Sequence, residues 1–130
     1  MSGPDSAAEL ERTIERYNDA WNAHDLDTIV SLHAPGMVFE NHTAGERAEG
    51  AEVRAHIGNI FANWPDLSFR GRRLYARDSL VVSEWTATAT RLDTAERIEW
   101  DGLDVIPFEN GLIVRKDVYS AAHRARVVPG

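Results

Sequence analysis

The alternation of apolar residues along this chain predicts an α+β fold, with three helices from the N-terminal half packed on one face of a curved antiparallel β-sheet. Three observations predict it: apolar residues recur at helical intervals up to Trp64, they alternate with period two beyond Leu67, and tight-turn residues divide that second half into four runs. Ala7, Leu10, Ile14, Tyr17 and Trp21 share one face of a first helix that reaches about Ala23, behind Ser6 and Glu9 at the spacing of a capping box. Asp25 caps a shorter helix carrying Leu26, Ile29, Val30 and Leu32, which Pro35-Gly36 ends because proline has no N–H to continue it. Met37 to Asn41 reads as a short strand and the polar stretch Thr43 to Gly50 as a connection. Val53, Ile57, Ile60 and Trp64 mark the third helix, closed by Pro65-Asp66. Leu67 to Ala76 is a strand with a bulge at Gly71, where the inward positions change from Leu67 and Phe69 to Leu74 and Ala76. After a turn at Arg77-Asp78 come a strand from Leu80 to Thr90, a polar connection from Arg91 to Glu96 and a strand from Arg97 to Phe108. Glu109-Asn110-Gly111 then leads into Leu112 to Ser120, and the tail from Ala121 to Gly130 is expected to fray.

A chain of 130 residues with 43% apolar content is read as a single domain spanning residues 1–130. Its formal net charge of −7 repels phosphate backbones, so nucleic acid is not an expected partner. The absence of cysteine removes disulfides, thiolate nucleophiles and cysteine metal ligands together. Met1 to Asp5 lack the basic start of a signal peptide, and no stretch approaches the roughly 18 apolar residues of a membrane span. The expectation is a cytoplasmic protein that does not contact a membrane.

The register of the last hairpin decides the chemistry. On the strand ending at Phe108 the even positions Ile98, Trp100, Gly102, Asp104 and Ile106 form the inner face, and on the final strand Leu112, Val114, Lys116 and Val118 have the same parity. A two-residue Asn-Gly turn sets Asp104 opposite Asp117, whereas a three-residue turn with Gly111 in a left-handed bulge sets Asp104 opposite Lys116. Only the second puts both apolar faces on one side, so Asp104 and Lys116 are expected together on the inner face; under the other register Asp117 becomes the inner acid. A carboxylate or an amine buried alone costs several kcal/mol or turns neutral. A structural ion pair and a pocket acid–base pair both satisfy this pattern.

The run Arg16-Tyr17, Trp21-Asn22-Ala23-His24-Asp25-Leu26-Asp27, Ile29-Val30, Leu32 and Gly50 resembles the start of ketosteroid isomerase-like proteins. Leu103-Asp104-Val105, Phe108 and Gly111-Leu112-Ile113-Val114 resemble their last hairpin. The resemblance implies membership of the nuclear transport factor 2-like superfamily, in its branch of SnoaL-like polyketide cyclases and ketosteroid isomerases. It implies a cone-shaped, cystatin-like α+β barrel with a closed-ended pocket for a small, mostly apolar molecule. Steroid isomerases hold an oxyanion with a tyrosine and a protonated aspartic acid and use a second aspartate as base. The tyrosine falls on Tyr17 and the neutral acid on Asp104, but the base falls on Asn41, an amide that cannot accept and return a proton near neutrality. Lys116 stands where that family carries an apolar residue; it replaces the base if burial lowers its pKa, or it ionises Asp104 and abolishes the oxyanion hole.

Around Phe39 and Asn41 the sequence also resembles limonene epoxide hydrolases, yet their arginine and first acid fall on Trp85 and Ala87, neither of which activates water. SnoaL-like cyclases, with an acid–base residue on the last strands, impose less. The reading is therefore an isomerase or cyclase without a cofactor, doing enolisation chemistry on a polyketide, steroid or terpenoid-like substrate. Asp104, Lys116 and Tyr17 are the catalytic candidates, with Asn41, Phe39, Trp21, Trp85, Trp100 and Val118 around the substrate. The alternative is a ligand-binding or accessory domain without catalysis, which Asn41 favours. His24, His33, His42, His56 and His123 do not share a ligand spacing, so no metal is expected, and His42 reads as a rim residue. The outer face, with Thr86, Thr88, Val105, Ile113 and Tyr119, is the expected homodimer surface.

Overall fold

The computed structural model describes residues 3–130; Met1 and Ser2, at the head of the stretch read for a leader, lie outside the described residues. Helix α1 (Ala7–Asn22) starts at Ser6, whose hydroxyl accepts from the Glu9 N–H at 3.4 Å. The Glu9 carboxylate turns to Arg12 at 2.5 Å, so the expected capping box is made on one side only. Asp25 caps α2 (Leu26–Ser31) through the N–H and hydroxyl of Thr28. Helix α3 (Glu52–Asn63) ends at Trp64. Leu10, Ile14, Tyr17, Ile29, Val53 and Ile57 turn their buried faces toward one core.

The strands are β1 (His33–Asn41), β2 (Glu46–Glu49), β3 (Ser68–Arg77), β4 (Leu80–Thr90), β5 (Arg97–Glu109), β6 (Leu112–Ser120) and a short β7 (Arg126–Val127). They form one curved sheet in the order β2-β1-β6-β5-β4-β3, with β7 paired to β5. The sheet is mixed, because β1 runs parallel to β6, and this pairing sets Phe39 beside Lys116 and Asn41 beside Val118. β1 also begins four residues earlier than the sequence suggests, carrying Pro35-Gly36 within an irregular pairing between His33 and Val38. The polar stretch after Asn41 contains β2, and the tail does not simply fray. It makes a 3₁₀ turn at Ala122–Arg124 before Arg126 reaches Glu99 at 2.7 Å.

The expected bulge in β3 is present, with register shifting between Gly71 and Arg73. The last hairpin differs from expectation in its device but not in its outcome. Glu109 pairs with Leu112 across a two-residue turn in which Asn110 and Gly111 have φ of 52° and 77°, the left-handed pair that this turn demands. Asp5 closes that turn by accepting from the N–H groups of Asn110 at 2.9 Å and Gly111 at 2.6 Å. An extra residue in β6 then shifts the register between Ile113 and Asp117, so that Asp104 pairs with Val118 rather than with Lys116. The bulge restores the parity. Asp104, Lys116 and Val118 all point inward, while before it Ile113, not Leu112 or Val114, is the fully buried residue. Ile113 therefore leaves the expected dimer surface for the core. Thr86, also expected there, is buried and donates to Asp101 at 2.8 Å.

Candidate active site

Six strands and two helices bring the site together. From α1 comes Trp21, from β1 Phe39 and Asn41, from β4 Trp85, from β5 Trp100 and Asp104, and from β6 Lys116 and Val118; all eight line one cavity of about 290 Å³. Its remaining wall includes His56, Ile60 and Trp64 at the α3 side and Leu67, Phe69 and Ile98 from the sheet side. A second cavity of about 270 Å³ lies across Trp21, Phe69 and Trp85 and reaches the same Asp104 and Lys116. Its far wall is polar, with Glu15, Asn18, Asp19 and Asn22 of α1. The indole of Trp85 lines both spaces, as do Trp21, Phe69, Asp104 and Lys116. It lies flat over Gly102, its cross-strand partner, where an added Cβ would come within 2.3 Å of the ring, and Phe69 meets it edge-on at 5.1 Å.

Asp104 and Lys116 are 5% and 6% exposed, and Lys116 Nζ lies 3.8 Å from Asp104 Oδ2, longer than a hydrogen bond. The amine sits over the Trp21 ring at 4.0 Å, with the Tyr17 and Phe39 rings at 4.9 and 5.4 Å. Burial pushes the Asp104 carboxyl above the usual carboxylate range, with the Lys116 charge working against that shift. Burial pushes the Lys116 amine down, with Asp104 opposing. Both groups thus move toward their neutral forms. Asp104 Oδ1 and the indole nitrogens of Trp21 and Trp85 are buried without a hydrogen-bond partner among the described residues.

Tyr17 takes a different place from the one its resemblance implies. It is fully buried and absent from the walls of both cavities, and its hydroxyl pairs with His33 Nε2 at 2.9 Å. Burial raises the phenol well beyond its usual range, and the same desolvation, helped by Lys116, lowers His33 to about 4. The pair stays neutral near pH 7 and backs the amine without reaching a guest. His33 was legible only as one of five histidines, because its contact with Tyr17 depends on β1 starting early. Asn41 is on the wall, but its Oδ1 accepts from the N–H groups of Thr43 at 3.1 Å and Ala44 at 3.0 Å. Its amide N–H₂ is the part left for a ligand. Trp64, Phe69 and His56 are wall residues that sequence reasoning did not place; the helical spacing that put Trp64 on the α3 face was the available signal.

On the opposite face of the sheet, Glu40, His42 and Asp117 bring possible metal-ligating atoms within 4.8 Å of one another. Arg115 already occupies the space between the two carboxylates, at 2.5 Å from Glu40 and 2.9 Å from Asp117, while His42 Nε2 donates to Asp117 at 2.7 Å and the ring stacks on Tyr119. That cluster is an ion-pair network, and it fixes Asp117 outside the cavity.

A sequence model of the SnoaL-like domain matches residues 14–116. The chain belongs to the SnoaL-like domain family. No curated protein matches the sequence. Among solved structures, this SnoaL-like domain is similar to a candidate polyketide cyclase from Xanthomonas campestris pv. campestris, with TM-score 0.82 and 17% identity over 91% of this chain and 94% of that one. It is similar to IdmH, a candidate polyketide cyclase from Streptomyces antibioticus, with TM-score 0.74 and 22% identity over 85% and 91% of the two chains. The epoxide hydrolase/cyclase-like enzyme SalBIII, which acts in pyran ring formation in polyether salinomycin, gives TM-score 0.82 and 20% identity over 93% and 97%. At these identities the likeness establishes a shared fold. No helix among the described residues of the SnoaL-like domain is long and apolar enough to cross a membrane.

Proposed function

We propose that this SnoaL-like domain is a cofactor-independent isomerase or cyclase that moves a proton on a carbonyl-activated carbon of a small, largely apolar polyketide, steroid or terpenoid-like molecule. One observation carries the reading: an acid and an amine, both nearly inaccessible to solvent, share a cavity wall 3.8 Å apart, and the acid keeps an unpartnered oxygen. Desolvation draws the Asp104 carboxyl toward its protonated form, the direction that suits a group that must give and retake a proton in acid–base catalysis. Lys116, on the cavity wall beside Asp104, is the group assigned to hold an enolate oxygen. Trp85, Trp100, Phe39 and Val118 supply the apolar contact that selects the body of the substrate.

The test is deuterium incorporation at the α-carbon of a panel of cyclic ketones in heavy water, followed by NMR for wild type and Asp104→Asn. Exchange that falls by about 10²–10⁴-fold in the variant is the expected result. Exchange equal in both proteins, or absent for every ketone that binds, favours the second reading of a non-catalytic binding domain. Asn41 at the base position supports that second reading, since its carbonyl is committed to the turn after β1. Self-association through the outer face of the sheet belongs to the same proposal, supported by the contiguous row Tyr75, Val82 and Val105 on β3, β4 and β5.

A further inference from the structure

The chain has thirteen arginines and a single lysine, so its surface cations are guanidinium groups and its one primary side-chain amine is the buried Lys116. A surface position accepts either basic residue, but only lysine brings a nucleophilic nitrogen into an apolar site. Lys116 lines both cavities, and its Nζ is capped by the Trp21 ring at 4.0 Å with the carboxyl of Asp104 at 3.8 Å.

We propose that Lys116 is an imine-forming residue that condenses covalently with an aldehyde or ketone held in the cavity. The nitrogen lone pair attacks the carbonyl carbon, forming the C–N bond, while the carbonyl π pair moves to oxygen. Protons from the attacking nitrogen and from neutral Asp104 convert that oxygen to water, which leaves as the C=N bond forms. The sum is one carbonyl compound, one amine and one carboxylic acid giving one protonated imine, one carboxylate and one water, so atoms and charge balance.

Each step has a group in place. Burial favours the unprotonated amine that must attack. Asp104 is the proton source and then the counter-ion of the iminium. The faces of Trp21, Tyr17 and Phe39 receive the cation that results. The second cavity, walled by Asn18, Asp19 and Asn22, gives the released water a polar way out. This step rests on the cavity admitting a carbonyl compound, as in the proton-transfer reading, but it asks for a bond that proton transfer alone does not.

The experiment treats the whole protein with trans-cinnamaldehyde and sodium cyanoborohydride and follows intact mass and peptide maps. One reduced adduct per chain, mapped to Lys116 and absent from Lys116→Met, is the expected result. A second probe, acetylacetone, needs no reductant: an enaminone absorbance band in wild type but not in Lys116→Met reports the same bond. Labelling confined to the N-terminal amine, with no enaminone band, overturns the proposal. If ketone deuterium exchange persists in that case, proton transfer survives and the covalent step alone is lost; if exchange is also absent, both fall.

Discussion

Replacing Lys116 by methionine destabilises the protein by about 3–5 kcal/mol at neutral pH, and replacing Asp104 by leucine does the same with the opposite pH dependence. In Lys116→Met the remaining carboxyl has no cation to keep it charged in the cavity wall. It folds protonated, whereas the unfolded chain ionises it from about 3.8 upward, so stability relative to wild type falls as pH rises, by up to about 1.4 kcal/mol per unit, until Asp104 ionises in the folded state. In Asp104→Leu the amine folds neutral while the unfolded chain carries an ammonium, so relative stability rises with pH toward 10.5. The groups behind the pair do not produce these opposed slopes: Tyr17 stays protonated, and His33 titrates at about 4 when folded, a contribution that the comparison with wild type at each pH largely removes. The double variant Lys116→Met with Asp104→Leu, of similar volume and without charge, regains most of the loss and its pH dependence disappears. Urea denaturation of the four proteins between pH 5 and 9 checks all three statements. Two singles with parallel pH profiles contradict a coupled pair.

Trp85→Ala is the second large effect. Removing this ring deletes a buried indole and costs about 3–5 kcal/mol, but its functional consequence is more specific. The ring lines both the 290 Å³ and the 270 Å³ spaces, so its loss enlarges the room beside Asp104 and Lys116. Thermal-shift screening of ketones in graded sizes should show the variant gaining stabilisation from larger ligands and losing it from those that fit wild type. Gly102→Ala is the companion test, since the new methyl meets the ring at 2.3 Å and forces it aside while leaving the indole in the protein. An unchanged size preference in both variants contradicts Trp85 as a wall that sets ligand size.

Much of this arrangement was legible because alternation fixes faces more securely than it fixes partners. Parity alone put Asp104, Trp100, Lys116 and Val118 on the inner side, and Gly71 marked its bulge in sequence. The bulge in β6 had no such mark, since Val114 and Arg115 carry neither glycine nor proline, and an Asn-Gly pair that favours a two-residue turn was read as a longer one. The parallel pairing of β1 with β6 is non-local and is what sets Phe39 beside Lys116; no run of residues announces it. β2 and β7 are short and polar, stabilised by neighbours rather than by a face of their own. The place of Tyr17 followed from family resemblance, and only the helix rotation that sends its hydroxyl to His33 shows it standing one layer behind the cavity.

All of the chemistry rests on Asp104 and Lys116 being drawn toward their neutral forms by the desolvated wall they share. Carbon and nitrogen NMR titration of these two side chains in the unliganded protein measures it directly, and the single lysine makes the nitrogen signal unambiguous. The account predicts that the two titration steps of the pair move toward each other, the acid above 3.8 and the amine below 10.5. Steps that move apart, or that stay at those ordinary values, would show a charged and solvated pair and contradict it.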